Sequence, residues 1–164
     1  MSIAHAMLGE FEHESKITGK FLERIAQDKL GWKAHEKSHT AGELGLHIAT
    51  VPGVVVQFAL MDEIPIPDPA ASFKQPATVQ DILSSHENSA QMVREILPTL
   101  DNGRLMTNSS FMRDGKPVTT MPKVMILRLI MLNHWIQHRG QLGVYLRLME
   151  AKVPSSYGPS GDEG

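Results

Sequence analysis

Apolar residues recur every three or four positions in four long segments of the chain, and this spacing predicts four amphipathic helices. The predicted helices span residues 2–28, 40–61, 79–97 and 121–150. Four helices with one apolar face each must bury those faces against one another, so the sequence predicts an all-α four-helix bundle. The connection between the second and third helices is long enough for a crossover, so a simple up-down-up-down order is not required.

The starts of three of these helices carry recognisable signals. Thr40 with Glu43, and Thr78 with Asp81, have the spacing of a capping box, in which each side chain satisfies a backbone N–H of the first turn. Pro122 lies in the first turn of the fourth helix, where its missing N–H costs nothing. These signals place the helix starts independently of the apolar pattern.

Other residues predict where helices bend or end. Gly31 can adopt the left-handed conformation that ends a helix, so the first helix is expected to finish before it. Pro52 removes one hydrogen bond from the second helix, which predicts a kink or a helix in two parts. The stretch "VPGVVV" around Pro52 is also compatible with a strand, but the capping box and the segment length favour a helix.

The sequence predicts the backbone conformation of two connecting segments. The stretch "DEIPIPDPAASFKQP", residues 62–76, contains four prolines and predicts an extended surface connection. Asp114-Gly115, between two short β-prone runs, predicts a small β-hairpin or ordered loop between the third and fourth helices.

Composition narrows the class of protein. The 164 residues fit one domain, residues 1–164, with 41% hydrophobic and 21% charged residues, as in an ordinary globular protein. A net charge of -2 and a pI near 6.4 give no basic surface for nucleic acid or membrane. The apolar runs are too short to predict a membrane span, and the N-terminal residues do not resemble a signal peptide. The chain has no cysteine, which fits a cytoplasmic location.

The stretch "NHWIQHRGQL" places two histidines, His134 and His138, on the apolar stripe of the fourth helix. Residues four apart lie on one helix face, with Cβ atoms about 5–6 Å apart, so both imidazoles can converge on one metal ion. His47 lies on the apolar stripe of the second helix. If the two helices pack side by side, three imidazoles meet and leave an open coordination position.

The roles of neighbouring polar residues stay open at this stage. His86 lies on the stripe of the third helix, and it is a fourth ligand, a partner of a ligand, or a core histidine. Gln141 and Asn133 either orient the ligands or are ordinary surface groups. Arg139 either pairs with an acidic group or anionic substrate, or is solvated.

A second histidine motif matches a zinc-protease pattern. His35 to His39, "HEKSH", matches the H-E-x-x-H pattern of zinc proteases, which functions only on a helix. A helix starting at Thr40 leaves His39 outside it, so the protease interpretation is disfavoured. His5 and His13 are expected at exposed helical positions.

Two stretches, "WKAHEKSHTAGELGLHIATVPG" and "NHWIQHRGQLGVYLRLMEAKVPSSYGPSGDE", resemble the DinB-like (DinB/YfiT) superfamily. The resemblance implies an up-down-down-up four-helix bundle, frequently dimeric, with nickel or zinc bound by three histidines. Matched position by position, these are His47, His134 and His138. Some relatives use bacillithiol or mycothiol, so the resemblance also implies a low-molecular-weight thiol as a co-substrate. The damage-inducible label of the family describes expression rather than chemistry.

Three hypotheses follow from the sequence. The first is a metal-dependent enzyme with a small-molecule substrate, either a hydrolase or a small-thiol-dependent S-transferase, whose substrate pocket involves Trp135, Tyr145 and Tyr157. The second is a non-catalytic metal-binding or stress-related interaction bundle, with a saturated site completed by His86. The third is a bundle whose core histidines bind no metal. The expected protein is a cytoplasmic homodimer; the catalytic residues beyond the metal ligands are unassigned.

Overall fold

The computed structural model describes residues 2–66 and 73–163, and this part of the chain is mostly helical with a small three-stranded sheet. The helices are α1 (Ile3–Leu22), α2 (Ala41–Phe58), α3 (Val79–Ile96), α4 (Asn102–Met106), α5 (Lys123–Ile126) and α6 (Trp135–Leu148). A π-helical segment, Leu127–His134, joins α5 to α6 into one continuous helix. The strands are β1 (Glu63–Pro65), β2 (Asn108–Arg113) and β3 (Lys116–Pro122).

The predicted capping boxes are confirmed. The Thr40 side chain accepts from the backbone N–H of Glu43, and the Glu43 carboxylate accepts from the Thr40 N–H at 2.7 Å. Thr78 and Asp81 make the same reciprocal pair at the start of α3. Each pair satisfies two backbone donors that a helix start leaves without partners, so both starts are fixed by local sequence.

The end of the first helix was predicted wrongly. Helix α1 stops at Leu22 rather than near residue 28, and a separate 3₁₀ turn, Gln27–Lys29, follows it. Gly31 does not have a positive φ angle, so it does not act as the left-handed cap. Ile25 is nevertheless buried, which explains why the apolar spacing continues past the true end of the helix.

Helix α2 runs unbroken through Pro52, so neither the strand nor two separate helices is correct. By length and composition this helix could span a membrane, but 67% of that window is buried inside the protein, as in a core helix. It packs mainly against α3 and also against the π-helical segment and α6. Helix α1 packs against α3 and α6, so the four long helices share one core.

The predicted hairpin is confirmed and is part of a larger sheet. Asp114 and Gly115 both have positive φ angles, 51° and 71°, and connect β2 to β3 in a two-residue turn. Strand β1 pairs parallel to β2, with Ile64 opposite Phe111. This strand lies in the proline-rich connection, which was predicted to be an extended segment at the surface, without pairing to a sheet. Residues 67–72 of that connection lie outside the described residues. Ile64 is fully buried, so the sheet covers one end of the core.

Lys123, the first residue of α5, is fully buried and joins the sheet to the end of α2. Its ammonium group donates to the Met61 carbonyl at 2.8 Å, the Asp62 carboxylate at 2.8 Å and the Ser109 hydroxyl at 2.6 Å. A buried ammonium with several acceptors and a carboxylate partner is stabilised in place. Lys123 therefore has a structural role.

Candidate metal centre

The three predicted histidines meet in the structure. One nitrogen atom each of His47, His134 and His138 lies within 4.8 Å of the other two. The Nε2 atoms of His134 and His138 are 2.9 Å apart, as expected of two imidazoles one turn apart on the same helix face. His47 reaches them from α2, and its ring stands nearly perpendicular to both others, at 90° and 85°.

The centre lies at the edge of the core rather than inside it. His47 is buried at 7% exposure, but His134 and His138 are only half-buried. The buried stripe of the last helix instead includes Trp135 and Arg139, one position further along than predicted. The predicted stripe assumed a regular α-helix, whereas the π-helical segment that ends at His134 changes the angular position of every later side chain.

Burial favours the neutral form of His134 and His138. It is the main cause of the lowered pKa of His134, and the neighbouring His138 lowers that pKa further. Burial likewise lowers the pKa of His138, against the hydrogen bond that His138 donates to Gln141, which raises this pKa. Because only neutral imidazole has a lone pair for a metal, both residues are in their ligating form at neutral pH.

Gln141 sets the orientation of His138. Its side-chain oxygen accepts from His138 Nδ1 at 2.7 Å, which places the proton of the neutral ring on Nδ1 and the lone pair on Nε2. That lone pair faces His134. Of the two alternatives for Gln141, the structure therefore supports the orienting role, whereas Asn133 is exposed at the surface.

The donor set fits a divalent ion. Three imidazoles form the group, and no carboxylate joins it among the described residues. Three nitrogen ligands suit zinc, nickel, copper or iron and leave further coordination positions for water or substrate. The Nε2 atoms of His134 and His138 lie within hydrogen-bond distance of one another, and because the His138 proton is on Nδ1, His138 Nε2 is the acceptor.

Sequence reasoning missed Phe73, which covers one side of the centre. Its ring stacks on His47 with centroids 4.2 Å apart, and it stands 6.2 Å from His138 in an edge-on arrangement. On its other face it stacks against His39 at 3.5 Å. Phe73 lies in the proline-rich connection, and no local pattern could place it, because its contacts are with residues far away in sequence.

The predicted substrate pocket is corrected by the structure. Trp135 is fully buried and donates to the Ile48 carbonyl, so it does not line an open pocket. Tyr157 instead contacts Arg139 and Glu14. Of the three residues, Tyr145 remains near the centre. Its hydroxyl donates to the carbonyl of His39 at 3.2 Å, and His39 stacks on Phe73 beside His47.

Arg139 is buried at 2% exposure, so the solvated interpretation is wrong. Its guanidinium donates to the Glu14 carboxylate at 2.6 Å, the Thr18 hydroxyl at 3.2 Å and the Tyr157 hydroxyl at 2.9 Å. The Tyr157 hydroxyl in turn donates to Glu14 at 2.8 Å. The four side chains form a paired network.

The remaining histidines lie outside the three-histidine group. His86 contacts the carbonyl and hydroxyl of Ser15 at 3.2 and 3.3 Å, which fits a core histidine rather than a fourth ligand. His35 to His39 lie in a non-helical segment, so the protease motif lacks the helix it requires. His5 and His13 are exposed on α1, as predicted, although His5 also contacts the Ser2 hydroxyl.

The fold and the three-histidine group define a mostly helical protein with a candidate metal centre between two of its helices. The family model described as "DinB family" matches residues 1–163, and the chain belongs to the DinB family. Among curated proteins, it is 24% identical over 157 residues to the uncharacterised protein YrdA of Bacillus subtilis strain 168, covering 95% of this chain and 89% of the relative.

Two solved structures share the fold. A DinB-like protein from Bacillus cereus ATCC 10987 superposes with a TM-score of 0.76 at 23% identity, covering 95% of this chain and 98% of that one. The DinB-like protein YjoA from Bacillus subtilis superposes with a TM-score of 0.70 at 25% identity, covering 92% and 96%. Both alignments cover nearly all of each chain, so the likeness extends through the whole fold.

Proposed function

We propose that this DinB-family protein binds one divalent metal ion, nickel or zinc, through His47, His134 and His138. With this ion bound, the protein would act as a metal-dependent hydrolase or a small-thiol-dependent S-transferase. The observation that supports the proposal is the convergence of three imidazole nitrogens within 4.8 Å, contributed by two different helices.

A bound divalent ion would supply Lewis acidity, which lowers the pKa of a bound water or thiol. The residues of the chain would bind the ion and orient its ligands. The three histidines supply nitrogen lone pairs, and Gln141 keeps the lone pair of His138 on Nε2. Phe73 shields one side of His47 from water, so a small-molecule substrate would approach from the half-exposed side of His134 and His138.

Activity is tested with a model electrophile, monochlorobimane, in the presence of bacillithiol or cysteine, and with an ester substrate in the absence of thiol. Zinc- or nickel-loaded protein is compared with chelator-treated protein. We expect the metal-loaded protein to consume the electrophile or hydrolyse the ester. The His138→Ala variant should lack this activity. The control is His13→Ala, an exposed histidine on α1 that should retain full activity. Turnover that does not depend on metal would contradict the enzymatic proposal.

Stacking of Phe73 on His47 favours a second candidate, a non-catalytic metal-binding or stress-related interaction bundle in which access to the ion is restricted. The saturated form completed by His86 loses support, because His86 is outside the three-histidine group. The two candidates differ in whether the bound ion exchanges ligands. Cobalt-substituted protein should change its visible spectrum on addition of thiol if a coordination position is open, and should not change if the site is closed.

The wider setting is also part of the proposal. We propose a single domain over residues 1–164, with the long helices in up-down-down-up order, assembled as a cytoplasmic homodimer. Its substrate would be a small molecule, with no nucleic acid or membrane partner, in keeping with the net charge of -2. The low-molecular-weight thiol co-substrate rests on the family resemblance.

A further inference from the structure

Pro52 leaves one backbone carbonyl of α2 without its usual donor. In an α-helix the N–H of residue 52 would donate to the carbonyl of Ile48, but proline has no N–H. Ile48 is fully buried, so water does not replace the missing donor. A buried carbonyl without a partner is costly, which makes any group that satisfies it important to the packing of α2.

Trp135, the first residue of α6, provides that donor. Its indole Nε1 donates to the Ile48 carbonyl at 2.8 Å, and the side chain is fully buried. The indole plane is held by stacking on Phe11, with centroids 5.3 Å apart and planes 22° from parallel. The hydrogen bond therefore joins α2 to α6 through a side chain with little freedom to move.

The position of this bond connects it to the histidine centre. Ile48 directly follows His47, and Trp135 directly follows His134. His134 and His138 share one helix, so their separation is set within that helix. The position of His47 relative to them depends on how α2 is placed against α6, and the bond fixes that placement one residue from two of the three histidines.

We propose that Trp135 is a positioning residue for the metal centre, acting through the Ile48 carbonyl that Pro52 exposes. The inference rests on the proposed metal binding, and it assigns a role to two residues that do not touch the ion. Trp135 holds His47 at the distance at which all three imidazoles can bind together. Pro52 contributes because it leaves the Ile48 carbonyl without a donor in its own helix, so that this carbonyl depends on the indole.

A stability cycle on metal-free protein tests the hydrogen bond. Trp135→Phe keeps an aromatic ring against Phe11 but removes the donor, and should lower Tm by about 3–8 °C. In the Pro52→Ala background the Ile48 carbonyl regains a helical N–H, so the same substitution should cost clearly less. Equal losses in both backgrounds would overturn the proposed role of Pro52 and the carbonyl.

Zinc affinity, measured by competition with a chromophoric chelator, tests the positioning role. Trp135→Phe should weaken zinc binding by about tenfold or more, in the range found for residues that orient metal ligands. The matched control is Val93→Ala, a fully buried truncation on α3, which should lower Tm but leave the zinc Kd unchanged. A Kd that simply followed Tm in both variants would overturn the inference.

The double variant Pro52→Ala/Trp135→Phe separates positioning from stability. Its Tm should recover relative to Trp135→Phe, but its zinc affinity should stay low, because the bond between the helices is still missing. If Trp135→Phe alone fails to fold, zinc affinity is measured on the double variant instead. Recovery of affinity together with Tm would overturn the inference. If the wild type bound no zinc, both the proposed metal binding and the positioning role of Trp135 would fail. If the wild type bound zinc and the Kd were unchanged in both Trp135→Phe variants, only the positioning role would be overturned.

Discussion

His138 and Arg139 are neighbours in the chain, yet they belong to polar clusters of opposite kinds. Arg139 pairs with Glu14, Thr18 and Tyr157, so a positive charge meets a carboxylate and two hydroxyls. His138 turns to the other side, where its Nε2 faces the Nε2 of His134 at 2.9 Å. In the first cluster unlike groups satisfy one another; in the second, like groups converge.

The difference supports our proposal that one cluster serves folding and the other serves metal binding. A buried ion pair with its hydrogen bonds completed is explained by the fold itself, because each charge requires the other. Three converging imidazoles offer nitrogen ligands from two helices to a single cation. For this reason we propose the metal site at the histidines and not at the arginine cluster.

The largest expected effect comes from breaking the arginine cluster. Arg139→Ala would leave the Glu14 carboxylate buried without its partner, and should lower the free energy of unfolding by about 3–5 kcal/mol in metal-free protein. The control is Arg147→Ala on the same helix, whose exposed pair with Asp162 should contribute at most about 1 kcal/mol. Urea denaturation measures both; equal losses would contradict the distinction between the two arginines.

The next effect sharpens the histidine side of the comparison. Gln141→Ala removes the group that fixes the His138 tautomer, and should weaken metal affinity by about 10–100-fold. The free energy of unfolding without metal should change by less than about 0.5 kcal/mol, because Gln141 is exposed. Gln137→Ala, at another exposed position of α6, serves as the control. An unchanged Kd in Gln141→Ala would show that the tautomer is set by another group.

The smallest effect is the pH dependence of stability. Burial lowers the pKa of His86, His134 and His138 in the folded protein. Below the unfolded pKa of about 6.5 the unfolded chain therefore binds more protons, and stability falls as pH falls. Urea denaturation of metal-free protein from pH 7.5 to 5.5 should show this decline.

His86 provides the matching control for that pH series. It lies apart from the metal group, so His86→Gln should make the decline shallower without changing metal affinity at pH 7.5. With metal present, the decline of the wild type should become steeper, because protons compete with the ion for His134 and His138. Stability that is flat from pH 7.5 to 5.5 would contradict the assignment of neutral, buried imidazoles.

What the sequence could predict was local. Thr40 with Glu43 fixed a helix start, Asp114 with Gly115 fixed a turn, and the four-residue spacing of His134 and His138 placed two imidazoles together. Each of these signals depends on residues within one turn of one another, so no knowledge of the rest of the chain was required. His47 was identified because its own helix has a clear apolar stripe.

What the sequence could not predict was the partner of each group across the fold. Pro52 indicated a freed carbonyl, but nothing local indicated that Trp135 would donate to it. Phe73 reaches His47 from a connection without apolar periodicity. For Arg139 the sequence left pairing with an acidic group and solvation both open, because its partner Glu14 is 125 residues away in sequence.

The central claim is that His47, His134 and His138 form a metal site. Metal content by elemental analysis, on untagged protein purified without nickel resin and then incubated with zinc or nickel, tests it most directly. We predict about one divalent ion per chain in the wild type and in Arg147→Ala, and none in His134→Ala/His138→Ala. A wild type that retains no metal, or a double variant that binds as much as the wild type, would contradict the account.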